Sequence, residues 1–378
     1  MHVADVTLFF APHSGGVKRY LLAKHRHYQR QPGLRHSLLV PGARDGEIAP
    51  DIHTLASPRI PFGGGYRLPL WPARFRRALC ELAPDLIEAG DPYQLAFAAL
   101  DAADALGVPA VAFAHSDLPR LLAGRCGRLV GAAADRYLRS LYNRFDLVLA
   151  PSRAVAQRLA DGGVERIVVQ PLGVDGEVFH PARHDPALRA ELGLPADTRL
   201  LIFAGRMARE KQIPLLLETF AALGARHHLL LVGGERRAAL RANVTVLPYE
   251  QDGVRLARLL ASADALVHAG VHETFGLIVL EAMACGRPVI GIRGGALAEL
   301  IDADTGVLAE RSDAIALGRA IAALYERDRQ AMGRAARRRV EQTYAWSRTF
   351  AQQIERYLHL SRRRSPAASA PADAPGVP

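Results

Sequence analysis

A rhythm of short apolar runs separated by segments of helical length sets the strongest limit on what this chain can fold into. Runs at residues 3–10, 37–40, 86–89, 108–114, 147–150 and 167–170 have strand length. The first ends at Ala-Pro-His-Ser-Gly-Gly and is followed by a helix-like stretch over 17–29. Strands alternating with helices predict a parallel α/β sheet covered on both faces. Near 174–195 the texture changes to a proline- and charge-rich connection, and the rhythm restarts with runs at 200–204, 229–232, 244–247, 265–268 and 288–292. A chain of 378 residues has room for two such units.

With 49% hydrophobic and 23% charged residues, fibrous, collagen-like and wholly disordered readings are excluded. No run of apolar residues is long enough to cross a membrane as a helix. The N-terminal stretch lacks a basic region ahead of its apolar run, so no signal peptide is expected. Cys80, Cys126 and Cys285 are scattered, which fits a reducing cytoplasm and argues against structural zinc or a disulfide framework. The net charge of +10 suggests an anionic partner: nucleic acid, an anionic membrane or a phosphorylated substrate.

Three stretches carry candidate chemistry. Gly15 and Gly16 follow the first strand, where an open α/β sheet places its ligand crevice, although their spacing is not the dinucleotide fingerprint. The strand at 200–204 releases Arg206 and Lys211 at its carboxyl edge, two cations suited to a diphosphate. In residues 273–281, Glu273 and Glu281 stand eight positions apart, the first in a loop and the second inside an apolar helix. That helix should begin near 274–276, so its free amides and positive dipole end offer an anion site. Glu281 can then reach nucleoside hydroxyls, and Glu273 a sugar hydroxyl. Each stretch alone also fits solvated surface charge or a tight turn.

Taken together with Leu-Ala-Pro-Ser at 149–152, Val-Gln-Pro-Leu-Gly-Val-Asp at 169–175 and Met-Gly-Arg-Ala-Ala-Arg at 332–337, these residues resemble the retaining glycosyltransferases of family 4. That resemblance implies the GT-B fold: two facing Rossmann-like α/β domains with a C-terminal helix packing back on the first. The domains expected are an acceptor domain over 1–172, a connection over 173–195, a nucleotide-sugar donor domain over 196–342 and a returning helix over 343–360. A tail over 361–378, rich in Pro and Ala, is expected to be disordered.

By the same resemblance, Arg206 and Lys211 hold the donor diphosphate, Glu281 binds the nucleotide ribose and Glu273 contacts the donor sugar. The backbone at Phe275, Gly276 and Leu277 faces phosphate, and Gly15 and Gly16 line the donor side. His115, in His-Ser-Asp-Leu-Pro after an apolar strand, resembles the family's first-domain active-site histidine. With residues 137–151 it is similar to the branch of GDP-mannose-dependent α-mannosyltransferases and glycolipid synthases. No metal or other cofactor is implied. Two departures stand near the donor site: His-Ala-Gly-Val-His at 268–272 replaces the family's Pro-Ser, and Glu299 lies one residue further than usual behind Gly294-Gly295.

Residues 119–144 carry six arginines against one carboxylate, Asp135, with Leu121, Leu122, Leu129, Val130, Leu138 and Leu141 interleaved. This segment reads equally as an ordinary amphipathic helix or as a face for an anionic membrane and a lipid-linked acceptor. Nucleic-acid binding lacks any helix-turn-helix, zinc or aromatic-basic signal. An NAD-dependent oxidoreductase lacks its glycine fingerprint, while a nucleotide-sugar epimerase or sugar phosphorylase would keep the fold. The expectation is a cytoplasmic enzyme, peripheral at the inner membrane face where residues 119–144 serve as a membrane face rather than an ordinary amphipathic helix. It would transfer a mannose- or glucose-type hexose from a GDP- or UDP-sugar to a glycan or lipid-linked hydroxyl with retention.

Overall fold

The computed structural model describes residues 1–11, 14–61, 64–234 and 241–364. The described residues pack as two units. The first comprises Met1–Ala150, Arg158–Val168 and the chain from Phe350 onward; the second comprises Pro151–Gln157 and Val169–Thr349. Packing therefore divides the chain elsewhere than at 172/173. Residues 151–157 join the second unit because Ser152 Oγ donates to the Thr274 carbonyl at 2.8 Å, while the Arg153 and Ala154 amides donate to the Glu299 carboxylate at 2.9 and 2.6 Å.

In the first unit, strands β1 (His2–Val6), β2 (Arg35–Gly42), β3 (Gly46–Ala49), β4 (Ile52–Ala56), β5 (Leu86–Ala89), β6 (Ala110–Phe113), β7 (Leu147–Ala150) and β8 (Ile167–Val169) form one sheet. Its order is β3-β4-β2-β1-β5-β6-β7-β8. From β4 through β7 the pairs are parallel, and β3 lies antiparallel on the edge. The central strands are buried along their length, which is why they read as continuous apolar runs rather than alternating ones. β3 has four exposed residues and no apolar pattern, so nothing in its sequence announces a strand.

The second unit holds β9 (Arg199–Ala204), β10 (His227–Val232), β11 (Val244–Leu247), β12 (Ala265–His268), β13 (Val289–Ile292) and β14 (Gly306–Ala309), all parallel, in the order β11-β10-β9-β12-β13-β14. Phe203, Leu216, Phe220, Leu231 and Ile290 are central to its core. In each sheet the strand order reverses beside the first strand of the unit, between β1 and β5 and between β9 and β12. Ligands of open α/β sheets bind outside the carboxyl ends of strands at such a reversal.

The last helix, Trp346–Arg364, continues four residues past the expected end at 360; residues 365–378 of the expected tail lie outside the described residues. Beyond Phe350 it packs in the first unit, where Gln353 Nε2 donates to Tyr20 Oη and Tyr357 Oη at 2.7 Å each. Beneath it lies a charged cluster with no solvent exposure to speak of. Lys24 Nζ donates to both oxygens of Asp5 at 2.8 and 2.9 Å and stands 3.1 Å from Glu88 Oε2, which also accepts from Tyr357 Oη. One ammonium cannot balance two buried carboxylates. Burial raises both carboxyls; the Lys24 charge and His36 override this at Asp5 and hold it at about 2, whereas burial and the Asp5 charge push Glu88 up to about 8.

Candidate active site

In the second unit the expected cations and the first glutamate come together at the strand-order reversal. β9 ends at Ala204 and β12 at His268, and the loops leaving these neighbouring strands carry Arg206 and Lys211 on one side and Glu273 on the other. Lys211 closes a single turn of 3-10 helix, Arg209–Lys211, and its ammonium pairs with Glu273 Oε1. Arg206 points largely into solvent, 3.6 Å from Glu210. His268 is wholly buried against Phe203, and its Nε2 stands 3.2 Å from the same Glu273 oxygen. Burial pushes the Glu273 carboxyl upward, but the Lys211 charge and the His268 ring hold it well below the usual carboxylate range. Glu273 is therefore an anion at any physiological pH.

Glu273 leads directly into the helix Leu277–Ala284, which starts within a residue of the expected position. Gly276 caps it at φ +90°, a left-handed conformation that a residue with a Cβ adopts only under strain. The first amides of this helix have no side-chain cap, so they present hydrogen-bond donors and the positive dipole end. Phe275 is buried and meets Tyr344 edge to face at 6.1 Å. Glu281 lies in the fifth position of the helix and is 2% exposed. Two cations, an uncapped helix start and a fixed carboxylate within one loop cluster can bind a diphosphate and orient a hydroxylated group beside it.

The remaining expected residues belong to the first unit. Gly15 is the N-cap of the helix Gly16–Gln29, so this helix start presents backbone only. His115 follows β6, stacks on Phe113 at 4.0 Å between ring centroids and lies 5.2 Å from Tyr20. Burial, assisted by the Lys24 charge, lowers its imidazole to about 3. It is a neutral ring at working pH, able to donate or accept a hydrogen bond but not to supply positive charge. The cluster of 119–144 is two helices, Leu118–Cys126 and Arg128–Tyr142, joined at Gly127. Leu138 and Leu141 turn into the core, so they do not belong to an outward apolar face; Leu121, Leu129, Val130 and Tyr137 do, and Leu129 is 88% exposed.

Three residues near the sheet ends take roles that the sequence does not show. His268, in sequence only a departure from a family pattern, ends a strand directly behind Glu273. Glu299 accepts from the Arg153 and Ala154 amides and so caps the start of the helix Arg153–Asp161. Asp91, after β5, accepts from Leu8 and Tyr93 amides and Thr7 Oγ1 at 2.6, 3.2 and 3.0 Å, fastening together the loops at the first unit's strand-order reversal. A cavity of about 690 Å³ in the second unit is lined by Arg153, Glu299, Asp302, Arg338, Arg339 and Tyr344 among others, and by none of the expected site residues. Among the described residues no group of three or more His, Cys, Asp or Glu could hold a metal ion, and no helix is long and apolar enough to cross a membrane.

Comparison with known proteins agrees with this geometry. Residues 14–178 match the family described as Glycosyltransferase Family 4, and residues 198–327 match Glycosyl transferases group 1. The chain is 33% identical over 373 residues to a GDP-mannose-dependent alpha-(1-6)-phosphatidylinositol dimannoside mannosyltransferase of Mycobacterium tuberculosis, covering 94% of this chain and 95% of that protein. Its fold matches sucrose-phosphate synthase from Thermosynechococcus elongatus with a TM-score of 0.82 at 22% identity, over 96% of this chain and 100% of that one. It also matches the Anabaena protein Alr3699/HepE, solved in complex with UDP and glucose, with a TM-score of 0.77 at 22% identity over 95% and 100% of the two chains. The chain is a hexosyltransferase using a nucleotide sugar, and it belongs to glycosyltransferase family 4, with the GT-B fold, in the mannosyltransferase branch.

Proposed function

We propose that this enzyme transfers a mannosyl group from GDP-mannose, with retention of configuration, to a hydroxyl of a lipid-linked glycan used in building the cell envelope. The observation that carries the reading is the Lys211–Glu273 pair at the start of the helix Leu277–Ala284. The donor and acceptor class are supported by the M. tuberculosis relative, named for GDP-mannose and a phosphatidylinositol dimannoside.

In this reading Arg206, Lys211 and the amides at Phe275, Gly276 and Leu277 meet the diphosphate, and Glu281 meets the ribose. Charge gathers on the leaving diphosphate as the glycosidic bond breaks, so cations there stabilise the transition state more than the ground state. No metal ion is required, since these groups supply the positive charge. Glu273, held ionised, accepts from a hydroxyl of the sugar. In the first unit, His115 is held as a neutral hydrogen-bonding ring. Retention follows if the acceptor attacks the face the diphosphate leaves, with a phosphate oxygen taking its proton.

The arginines of 119–144 around exposed Leu121, Leu129, Val130 and Tyr137 support a further element of the reading: this face rests on the anionic cytoplasmic leaflet, where a lipid-linked acceptor resides. The test is thermal unfolding with GDP, UDP, ADP and NAD in excess, followed by product analysis with the stabilising nucleotide's sugars. A ligand at about 100 times its dissociation constant adds roughly 2.7 kcal/mol. Stabilisation by GDP and an α-linked mannosyl product are expected; stabilisation by NAD alone, or a β-linked product, overturns the reading.

A further inference from the structure

His268 has no place in the function just proposed, yet it is among the most deeply buried polar side chains of the second unit. It ends β12, the strand beside the reversal, five residues before Glu273. The Gly270 amide donates to its Nδ1 at 3.1 Å. A nitrogen that accepts a hydrogen bond carries no proton, so the proton of the neutral ring is on Nε2. That Nε2 faces Glu273 Oε1 at 3.2 Å, short of the alignment of a full hydrogen bond, and has no other hydrogen-bond partner. Gly270 makes the arrangement possible, because a Cβ there would stand 2.8 Å from the His268 ring.

Both protein donors thus converge on one carboxylate oxygen: the Lys211 ammonium, on a flexible stem, and the His268 ring, fixed by packing against Phe203 and by Gly270. An ammonium that also serves a diphosphate is a poor anchor for a carboxylate, whereas a buried ring with its other nitrogen engaged has one orientation. We infer that His268 is a positioning residue: its Nε2–H fixes Glu273 Oε1 and leaves Oε2 as the acceptor for the transferred sugar's hydroxyl. The inference rests on the proposed role of Glu273.

The experiment separates the two nitrogens. His268→Asn keeps an acceptor for Gly270 but offers Glu273 no donor; His268→Gln places an amide N–H where Nε2 stands. Turnover is followed as nucleoside diphosphate release from GDP-mannose or UDP-glucose, whichever the wild type consumes. Urea unfolding of His268→Asn, Glu273→Gln and the double variant gives their coupling without any donor. We expect kcat to fall about 10- to 100-fold in His268→Asn with donor KM little changed, to recover to within about three-fold in His268→Gln, and to be no lower in the double variant His268→Asn with Glu273→Gln than in Glu273→Gln alone. The unfolding cycle should show coupling between the two sites. Wild-type turnover in both His268 variants, or independent effects in the unfolding cycle, overturns the inference. Wild-type turnover in Glu273→Gln with the coupling intact instead overturns the proposed role of Glu273.

Discussion

A methyl group on Gly270 would lie 2.8 Å from the backbone carbonyl oxygen of Glu210. The loop that carries Lys211 and the loop that carries Glu273 therefore meet backbone to backbone, and the pairing of their side chains depends on an absent Cβ. Gly270→Ala must push the two loops apart or rotate His268. We expect a loss of about 1–3 kcal/mol in unfolding free energy, the usual range for overpacking. Turnover should fall by more than this stability loss explains, measured at a temperature where the variant is fully folded.

Lys211→Ala removes the cation proposed for the leaving diphosphate, and turnover should drop about 100- to 1,000-fold, as for other single electrostatic contributors to a transition state. Glu281→Ala should act differently, raising the donor KM while leaving the sugar-transfer step less affected. Circular dichroism and unfolding temperature check that both variants are folded. Wild-type kinetics in both would remove the donor-site assignment.

The buried Asp5–Lys24–Glu88 cluster makes a prediction about pH. Glu88 titrates at about 8 in the folded chain against an ordinary 4.5, so the folded state holds this proton more tightly than the unfolded state does. Its contribution to stability is complete below 4.5 and is lost as pH rises through 8. Glu88→Gln keeps the neutral group and removes that dependence. The difference in unfolding temperature, variant minus wild type, should climb steadily between about pH 5 and pH 9.

For the basic face, each arginine near an anionic leaflet contributes ~1 kcal/mol, so Arg125→Gln combined with Arg128→Gln should lower partitioning onto anionic vesicles by about 30-fold. Leu129→Ser should lower it about ten-fold by removing an exposed apolar contact. Flotation with phosphatidylglycerol vesicles at low salt measures both. Donor hydrolysis free of lipid should be unchanged in these variants.

What the sequence made legible is the part written in neighbouring residues. The strand at 265–268, the helix after Gly276 and the eight-residue spacing of Glu273 and Glu281 are all local, and the structure sets them where they were expected. His268 looked like a departure from a pattern because its meaning is tertiary: it appears only once Gly270 folds β12's end back on the ring. β3, β4 and β14 went unseen because four or five residues at or near a sheet margin carry too little apolar signal. The charged cluster was equally hidden, since Asp5, Lys24, Glu88 and Tyr357 are far apart in the chain and none belongs to a motif. Spacing alone leaves Leu138 and Leu141 open between core and membrane face; the helix Arg128–Tyr142 turns them to the core.

The last helix also orders events during synthesis. Tyr357, which meets both Lys24 and Glu88, leaves the ribosome 333 residues after Lys24. Until then the first unit has an uncovered lysine and carboxylates at what will be its interior, and it cannot reach its final packing. The second unit, whose residues are all translated by Thr349, has everything it needs earlier. The half of the enzyme that begins first is thus completed last. A stop codon in place of residue 350 would leave a finished second unit tethered to an unfinished first one.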